Sequence, residues 1–303
     1  MARLYIIDIM YHIFRAFHAL PPHLGTKDGR PTNAVHGCLG ILRVLWKTFQ
    51  PEFAVAVFES RTRVFRAELA EDYKANRPET PQALKVQVPM IIEGLRRLGI
   101  PKLSVDGFEA DDVICTLARQ AGEAGHSVTL VTSDKDLAQV LQFPGEIELL
   151  RLSGTGKTAR VERVGREQVE SVFGVPPELI PDYLALQGDS VDNLQGVSGI
   201  GPKTAISLLR KAGSLRALLE SPAQAGKFAS ALTEHRGRLL RDLELATLRA
   251  DVPLEPFELS HFALTPLNRA AEYFEDLEMK NALQQLDGLL FPDPTVREFW
   301  APD

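Results

Sequence analysis

Cysteine is scarce in this chain: its 303 residues include only Cys38 and Cys115. Two thiols so far apart supply neither a disulfide framework nor a zinc-binding spacing. They point to a reducing compartment and to two small buried side chains. Long apolar runs are missing too, and no segment reaches the roughly 18 residues of a membrane span. The short run at 4–7 stops at Asp8, so it reads as a strand and not as a secretory signal. Nor is there an excess of positive charge. The 34 Lys+Arg stand against 40 Asp+Glu, a formal net charge of −6, which excludes a protein that coats nucleic acid by bulk charge alone. What is present is globular: 45% hydrophobic and 24% charged residues exclude disordered and fibrous classes. The length accommodates one large domain or two modest ones around a full core.

The pattern along the chain divides it. Residues 4–7, 53–58 and 128–132 are short, nearly all-apolar runs that predict buried parallel strands. Apolar residues at helical spacing predict helices over 33–49, 83–98 and 110–125. Strands alternating with helices give an α/β fold with a mostly parallel sheet. Runs at 147–152 and 158–164 flank Ser153-Gly154-Thr155-Gly156 and predict a hairpin. Beyond it the chain is helix-periodic at 166–173, 177–187, 202–211, 226–250 and 266–285. The expected division is an α/β domain over 1–175, a helical region over 176–290 and a tail over 291–303. The phosphate-loop look-alike Gly154-Thr155-Gly156-Lys157-Thr158 has Arg151 where the Walker pattern needs glycine, and it lies between two strands, so it reads as a hairpin turn.

The acids are the informative residues. Asp8, Glu59 and Asp134 each fall at or just past the carboxyl end of an expected strand, where open α/β sheets bind their ligands. Asp136 follows Asp134 by two positions. Glu109 and Asp112, at i and i+3, share a face at the opening of a helix, with Asp111 between them. Asp189 and Asp192 form another i, i+3 pair. So many carboxylates do not converge unless something positive lies among them, because like charges raise one another's pKa values and force protonation. An all-oxygen set suits Mg²⁺ or Mn²⁺. Two such ions roughly 4 Å apart clamp the attacking and leaving oxygens of a phosphoryl transfer and acidify a bound water. With these nine acids set apart, the remaining charged residues are in basic excess.

Two basic elements accompany them. Tyr73 with Lys74 and Arg77 joins a ring to two cations, a combination suited to single-stranded nucleic acid. In the run Gly196-Val197-Ser198-Gly199-Ile200-Gly201-Pro202-Lys203-Thr204-Ala205, Val197 and Ile200 are placed to pack a helical hairpin, and Gly199 and Gly201 let backbone amides approach a phosphate. Pro202 then opens a helix whose N-terminal dipole favours an anion. Lys203 in that first turn opposes the dipole, and a phosphate partner accounts for it. Such a hairpin grips backbone and not base sequence.

The ordered motifs Ile-Ile-Asp8, Tyr73-Lys74-Ala75-Asn76-Arg77-Pro78, Glu109-Ala110-Asp111-Asp112, Ser133-Asp134-Lys135-Asp136, Gly188-Asp189…Asp192-Asn193 and Gly199-Ile200-Gly201-Pro202-Lys203 together are distinctive. They resemble the 5′→3′ exonuclease domain of bacterial DNA polymerase I, within the flap endonuclease superfamily, over residues 3–290. That resemblance implies a PIN-like flap-endonuclease fold with a helix-hairpin-helix over 196–211, and a structure-specific 5′ nuclease working by two metal ions. Asp8, Glu59, Glu109 and Asp111 would serve the tighter ion, and Asp112, Asp134, Asp136, Asp189 and Asp192 the second. Lys74 and Arg77 would contact the scissile phosphate, with Tyr73 stacking nearby and Arg15 facing the substrate. Gly199, Gly201, Lys203 and Thr204 would grip duplex DNA, with K⁺ bound to the hairpin carbonyls. Residues 65–98 would form an arch for a free 5′ end. The implied partners are DNA with 5′ flaps, nicks or free 5′ ends, RNA-primed ends included, and a DNA polymerase. The implied setting is a cytoplasmic monomer at the bacterial nucleoid, either free-standing or cut from a polymerase, with no membrane association. Two departures stand out: Glu59 replaces the usual Asp, and the bulky Ile9-Met10-Tyr11-His12 follows Asp8 in place of glycine and small polar residues. A junction-binding protein without turnover and a PIN-type ribonuclease share parts of the pattern.

Overall fold

A computed structural model describes residues 2–153, 160–264 and 270–279. The expected hairpin turn and phosphate-loop look-alike at 154–158, half of the expected helix at 266–285 and the tail at 291–303 lie outside the described residues. The first half runs β1 (Arg3–Asp8), α1 (Ile9–Ala19), α2 (Asn33–Phe49), β2 (Phe53–Val57), α3 (Arg66–Leu69), α4 (Gln82–Lys85), α5 (Gln87–Arg97), β3 (Lys102–Leu103), α6 (Ala110–Glu123) and β4 (Ser127–Val131). After a 3-10 turn over Asp136–Gln142 come β5 (Ile147–Ser153), β6 (Arg160–Gly165) and α7 (Arg166–Phe173). The helical remainder is α8 (Ile180–Gln187), α9 (Pro202–Ala212), α10 (Leu215–Glu220), α11 (Ala229–Glu234), α12 (Arg236–Ala246) and α13 (Ala270–Asp276).

The sheet has the order β3-β2-β1-β4-β5-β6, parallel except for the β5–β6 hairpin. After β1 the chain adds β2 and β3 on one side and β4 onward on the other, so the strand order reverses at β1/β4. The carboxyl ends flanking such a reversal form a ready-made crevice. Register delivers the acids to it: Asp8 lies opposite Val57, and Ile7 opposite Val131. Both sheet faces are covered, which is why the strands read as continuous apolar runs. One face packs α6 and the helices from α8 to α12, and the other packs α1, α2, α5 and α13. In α2 the residues Val35, Cys38, Leu39, Leu42, Leu45 and Trp46 are buried, a three-four spacing that makes one apolar stripe. Gln50 ends the helix in the left-handed conformation and caps the Trp46 carbonyl. Cys38 and Cys115 are free thiols in cores on opposite sides of the sheet, and burial raises both above the usual thiol range. No helix among the described residues is long and apolar enough to cross a membrane.

Two expectations are corrected. The helix expected over 226–250 is divided into α11 and α12, and the chain is extended from Thr247. Tertiary capping stops it: Arg66 Nε donates to the Leu245 carbonyl, and Gln139 Nε2 donates to the Ala246 carbonyl. The arch expected over 65–98 does not stand free beyond residue 81. Leu84, Ile91 and Leu95 are core residues, and buried Gln87 accepts from Ala34 N at 2.8 Å and donates to Asn33 Oδ1 at 2.8 Å. Only the segment between Glu59 and Pro81 remains to border the crevice.

Candidate active site

At the strand ends the carboxylates are held by neutral donors. Asp8 caps α1 by accepting from Tyr11 N at 3.1 Å, and its other oxygen accepts from Thr132 Oγ1 at 2.8 Å. Burial, ahead of the facing Asp134 and Glu59, pushes the Asp8 carboxyl up to about 7 against those hydrogen bonds. Of the bulky residues that follow Asp8, Ile9 and His12 are fully buried, Met10 is partly buried against the same core, and Tyr11 is half-buried. Glu59, open to solvent, reaches the N-terminus of α6, where Ala110 N donates to Oε2 at 3.1 Å. The extra methylene of glutamate serves that reach and places negative charge at a favourable helix end.

Asp111, Asp134 and Asp136 complete this group. Burial, then Asp134, Asp8 and Glu59, hold Asp111 well above the usual carboxyl range. Burial also raises Asp134, one of whose oxygens accepts from Asp136 N at 2.9 Å. Burial and then Asp134 push Asp136 up to about 8, and its Oδ1 is buried with no hydrogen-bond partner. None of the five forms an ion pair among the described residues.

The remaining acids are held by cations. Glu109 accepts from Lys74 Nζ at 2.6 Å, Arg66 Nη1 at 3.0 Å and Tyr73 OH at 3.1 Å. Burial alone would raise it, but Lys74 and Arg66 outweigh burial and hold it low. Asp192 accepts from Arg77 Nη2 at 2.7 Å and Tyr73 OH at 3.2 Å, with Lys74 Nζ 3.9 Å away. Asp189 pairs with Lys135 at 2.6 Å. Lys74 adopts a left-handed backbone (φ 56°), an uncommon conformation for a residue with a Cβ. Its turn is tied to the 188–193 loop: Lys74 N donates to the Asp192 carbonyl at 3.4 Å, Asn76 Nδ2 to that of Ser190 at 2.5 Å, and Asn193 Nδ2 to that of Asp72 at 2.8 Å. Two motifs far apart in sequence thus form one wall.

Two expected roles change. Asp112 does not face the crevice. It is fully buried, and it accepts from Arg66 at 2.5 and 2.8 Å and from Arg249 N at 2.8 Å. Position 112 is one step from Asp111 on a helix, so the two side chains point about 100° apart. Tyr73 is not free to stack on a base: its ring is buried in the core, and its hydroxyl donates between Glu109 and Asp192. Arg15 is half-buried on α1 and donates to the Leu152 carbonyl at the end of β5. Arg66 was missed as a site residue. It is 1% exposed and binds Asp112, Glu109, and the Leu245 and Thr247 carbonyls. Nothing in its surface-like sequence neighbourhood signals that burial. Thr132 and Lys135 were missed as partners of the acids, although Lys135 lies within the Ser133–Asp136 motif and Thr132 just before it.

The helical hairpin forms as expected. Gly196 (φ 63°) is indispensable, since a Cβ there would lie 2.4 Å from the backbone of Gln187 and Gly188. Val197 and Ile200 are buried, Gly199 is exposed at φ 80°, and Gly201 caps α9 with no side-chain acceptor. Lys203 is exposed in the first turn of α9, and Thr204 is half-buried beside it. The structure therefore leaves the α9 N-terminus open to an anion, as its sequence suggests.

The acid set fits a divalent cation on its chemistry: oxygen ligands only, five carboxylates without an ion-pair partner among the described residues, and a buried unpartnered oxygen on Asp136. Among the described residues, no three such side chains meet closely enough to hold an ion as they stand.

Comparison with known proteins agrees with this arrangement. The family described as "5'-3' exonuclease, N-terminal resolvase-like domain" matches residues 3–174, and "5'-3' exonuclease, C-terminal SAM fold" matches 175–270. A "5'-3' exonuclease" of Aquifex aeolicus is 40% identical over 289 residues, 95% of this chain and 96% of that protein. A "DNA polymerase I" of Pseudomonas aeruginosa is 41% identical over 94% of this chain, which spans only 31% of that polymerase. Among solved structures, T5 5'-exonuclease with bound zinc superposes with a TM-score of 0.64 at 21% identity, covering 95% of this chain and 99% of that one. The catalytic core of Rad2 with DNA substrate gives 0.63 at 15% identity, covering 95% and 91%. These two structures share the fold. By both of its domains, the chain belongs to the 5'-3' exonuclease family of nucleases.

Proposed function

We propose that this chain is a divalent-metal-dependent 5′ nuclease. It hydrolyses DNA phosphodiesters at flaps, nicks and free 5′ ends, RNA-primed ends included, and leaves 5′-phosphate and 3′-hydroxyl termini. The observation that carries this is the group of five carboxylates without an ion-pair partner at the β1/β4 reversal, bordered by Lys74 and Arg77. Asp8, Glu59, Asp111, Asp134 and Asp136 would hold one ion with help from Glu109, and Asp189 and Asp192 would complete a second, Mg²⁺ or Mn²⁺ in each case. Bound there, such ions supply Lewis acidity at the phosphate and a nucleophile at neutral pH.

The chain's own residues do the rest. Lys74 and Arg77 now rest on carboxylates, and an entering phosphate gives them charge-assisted hydrogen bonds of similar kind. Their charge then stabilises the negative charge that builds up in the transition state. Tyr73 keeps Glu109 and Asp192 at a fixed separation through its hydroxyl. The open N-terminus of α9, with Lys203, takes a duplex phosphate some distance from the cut. The carbonyls of its preceding hairpin suit a K⁺ that such a phosphate can share. We place the chain as a cytoplasmic monomer acting at the nucleoid beside a DNA polymerase, on ends that the polymerase creates.

A 5′-flap duplex labelled at both ends, incubated with the chelator-treated protein, tests this. Cleavage near the junction with Mg²⁺ or Mn²⁺, and none in EDTA, is expected. Tight binding without cleavage in either metal overturns the enzymatic reading, and faster cleavage of an all-RNA flap overturns the DNA assignment.

A further inference from the structure

Asp189 differs from every other acid in the site. The cations on Glu109 and Asp192 come from the 73–77 turn, on the wall where an entering phosphate is expected, and for Glu109 also from buried Arg66. The cation on Asp189 comes from inside the acidic motif itself. Lys135 lies between Asp134 and Asp136, and its Nζ is 2.6 Å from Asp189 Oδ2. The other oxygen, Oδ1, accepts from Val191 N at 2.9 Å. The Asp189 backbone is pinned in both directions to Leu194, at 2.9 and 2.8 Å. The turn therefore orients the carboxylate without help, and Lys135 covers the one oxygen the turn leaves over.

The two partners are unequally placed. The Asp189 side chain is 5% exposed, whereas that of Lys135 is 43% exposed. A buried carboxylate cannot turn to water when its partner leaves, but a solvated ammonium on a flexible four-carbon stem can. The pair is thus built to open on the lysine side. A divalent ion and an ammonium cannot share that oxygen, because they repel each other at contact distance.

We infer that Lys135 is a built-in competitor for the divalent ion that Asp189 holds, the ammonium and the ion taking the same carboxylate oxygen in turn. Affinity in that half of the site is set by how readily Lys135 leaves. The displaced ammonium still needs an anion, and a substrate phosphate in the crevice provides one. DNA and the ion at Asp189 therefore favour each other's binding, and the ion stays weakly held until substrate arrives. This rests on the two-ion reading above and assigns it an internal control.

Mn²⁺ binding to the chelator-treated whole chain, followed by the paramagnetic resonance of free Mn²⁺ without DNA, tests the inference independently of activity. The wild type is expected to hold one ion tightly and a second weakly or not at all. Lys135→Ala is expected to tighten the second ion about tenfold, the scale of one partly solvated charge pair. Lys135→Arg restores the weak constant, and Asp189→Asn removes the second ion whatever stands at 135. Lys135 is half-exposed, and thermal melting verifies that its variants are folded. A second ion with the same constant in Lys135→Ala and wild type overturns the competition and leaves two-ion binding intact. A single ion in every variant, or none, overturns the two-ion reading and the competition with it.

Discussion

Asp8 at the end of β1 and Asp192 in the 188–193 loop border the same crevice, yet their surroundings are opposite. Asp8 meets a backbone amide and a threonine hydroxyl, while Asp192 meets Arg77, Lys74 and the Tyr73 hydroxyl. The strand ends hold their carboxylates in place by backbone and burial, so charge builds up there without relief. The loop and the 73–77 turn face each other with opposite signs and neutralise each other. The first arrangement stores repulsion that a proton relieves at low pH and a bound cation at high pH. The second stores cations that a phosphate can claim. A nuclease needs both, and this fold assigns one to the rigid sheet and the other to connecting segments, a common division of labour between scaffold and loops.

Removing a strand-end charge breaks the comparison most severely. Asp8→Asn is expected to lower single-turnover flap cleavage at least about a thousandfold. The same change should raise the melting temperature of the chelated protein at pH 8, because it relieves buried repulsion. A variant that loses activity and stability together contradicts that division. Next in size is Asp112→Asn, which separates metal chemistry from structure. Asp112 neutralises buried Arg66, so unfolding in urea should show a loss of about 3 kcal/mol. Mn²⁺ stoichiometry should be unchanged, and loss of a bound ion would return Asp112 to the ligand set. The smallest effect lies farthest from the acids. Lys203→Ala should reduce the salt dependence of duplex binding by about one unit of slope and leave cleavage at saturating DNA intact. An unchanged slope would remove Lys203 from the contact list.

How far the sequence revealed this depends on whether a role follows from position along the chain or from packing across it. The helix over Asn33–Phe49 was legible to the residue because its apolar stripe, its start after Thr32 and its end at Gln50 are all local. Asp8, Glu59 and Asp134 were legible as a group because parallel strands must end on one side of the sheet. Asp112 was not, because adjacency to Asp111 in sequence means divergence on a helix, and Arg66, which captures it, arrives from a segment 46 residues away. Tyr73 looked like a stacking ring for the same reason: its neighbours Lys74 and Arg77 are surface cations, but its own ring faces the core. The early end of the expected 226–250 helix at Ala246 was likewise set by Arg66 and Gln139 from outside the helix.

The stored repulsion at the strand ends can be measured directly as melting temperature against pH, in EDTA and in Mn²⁺. Burial raises Asp8 to about 7 and Asp136 to about 8, from an ordinary carboxyl value of 3.8 for both. A carboxyl raised on folding favours the folded state fully below its unfolded value, and that contribution is lost as pH rises through the folded one. The chelated protein should therefore lose stability progressively from pH 5 to 9, on the order of a few kcal/mol in all. Glu109, held low by Lys74 and Arg66, acts in the opposite sense only below this window. Mn²⁺ binds the ionised carboxylates, so the gap between loaded and chelated melting temperatures should widen steadily with pH. Coincident curves in EDTA and Mn²⁺ across that range would contradict the assignment of these acids to a metal site.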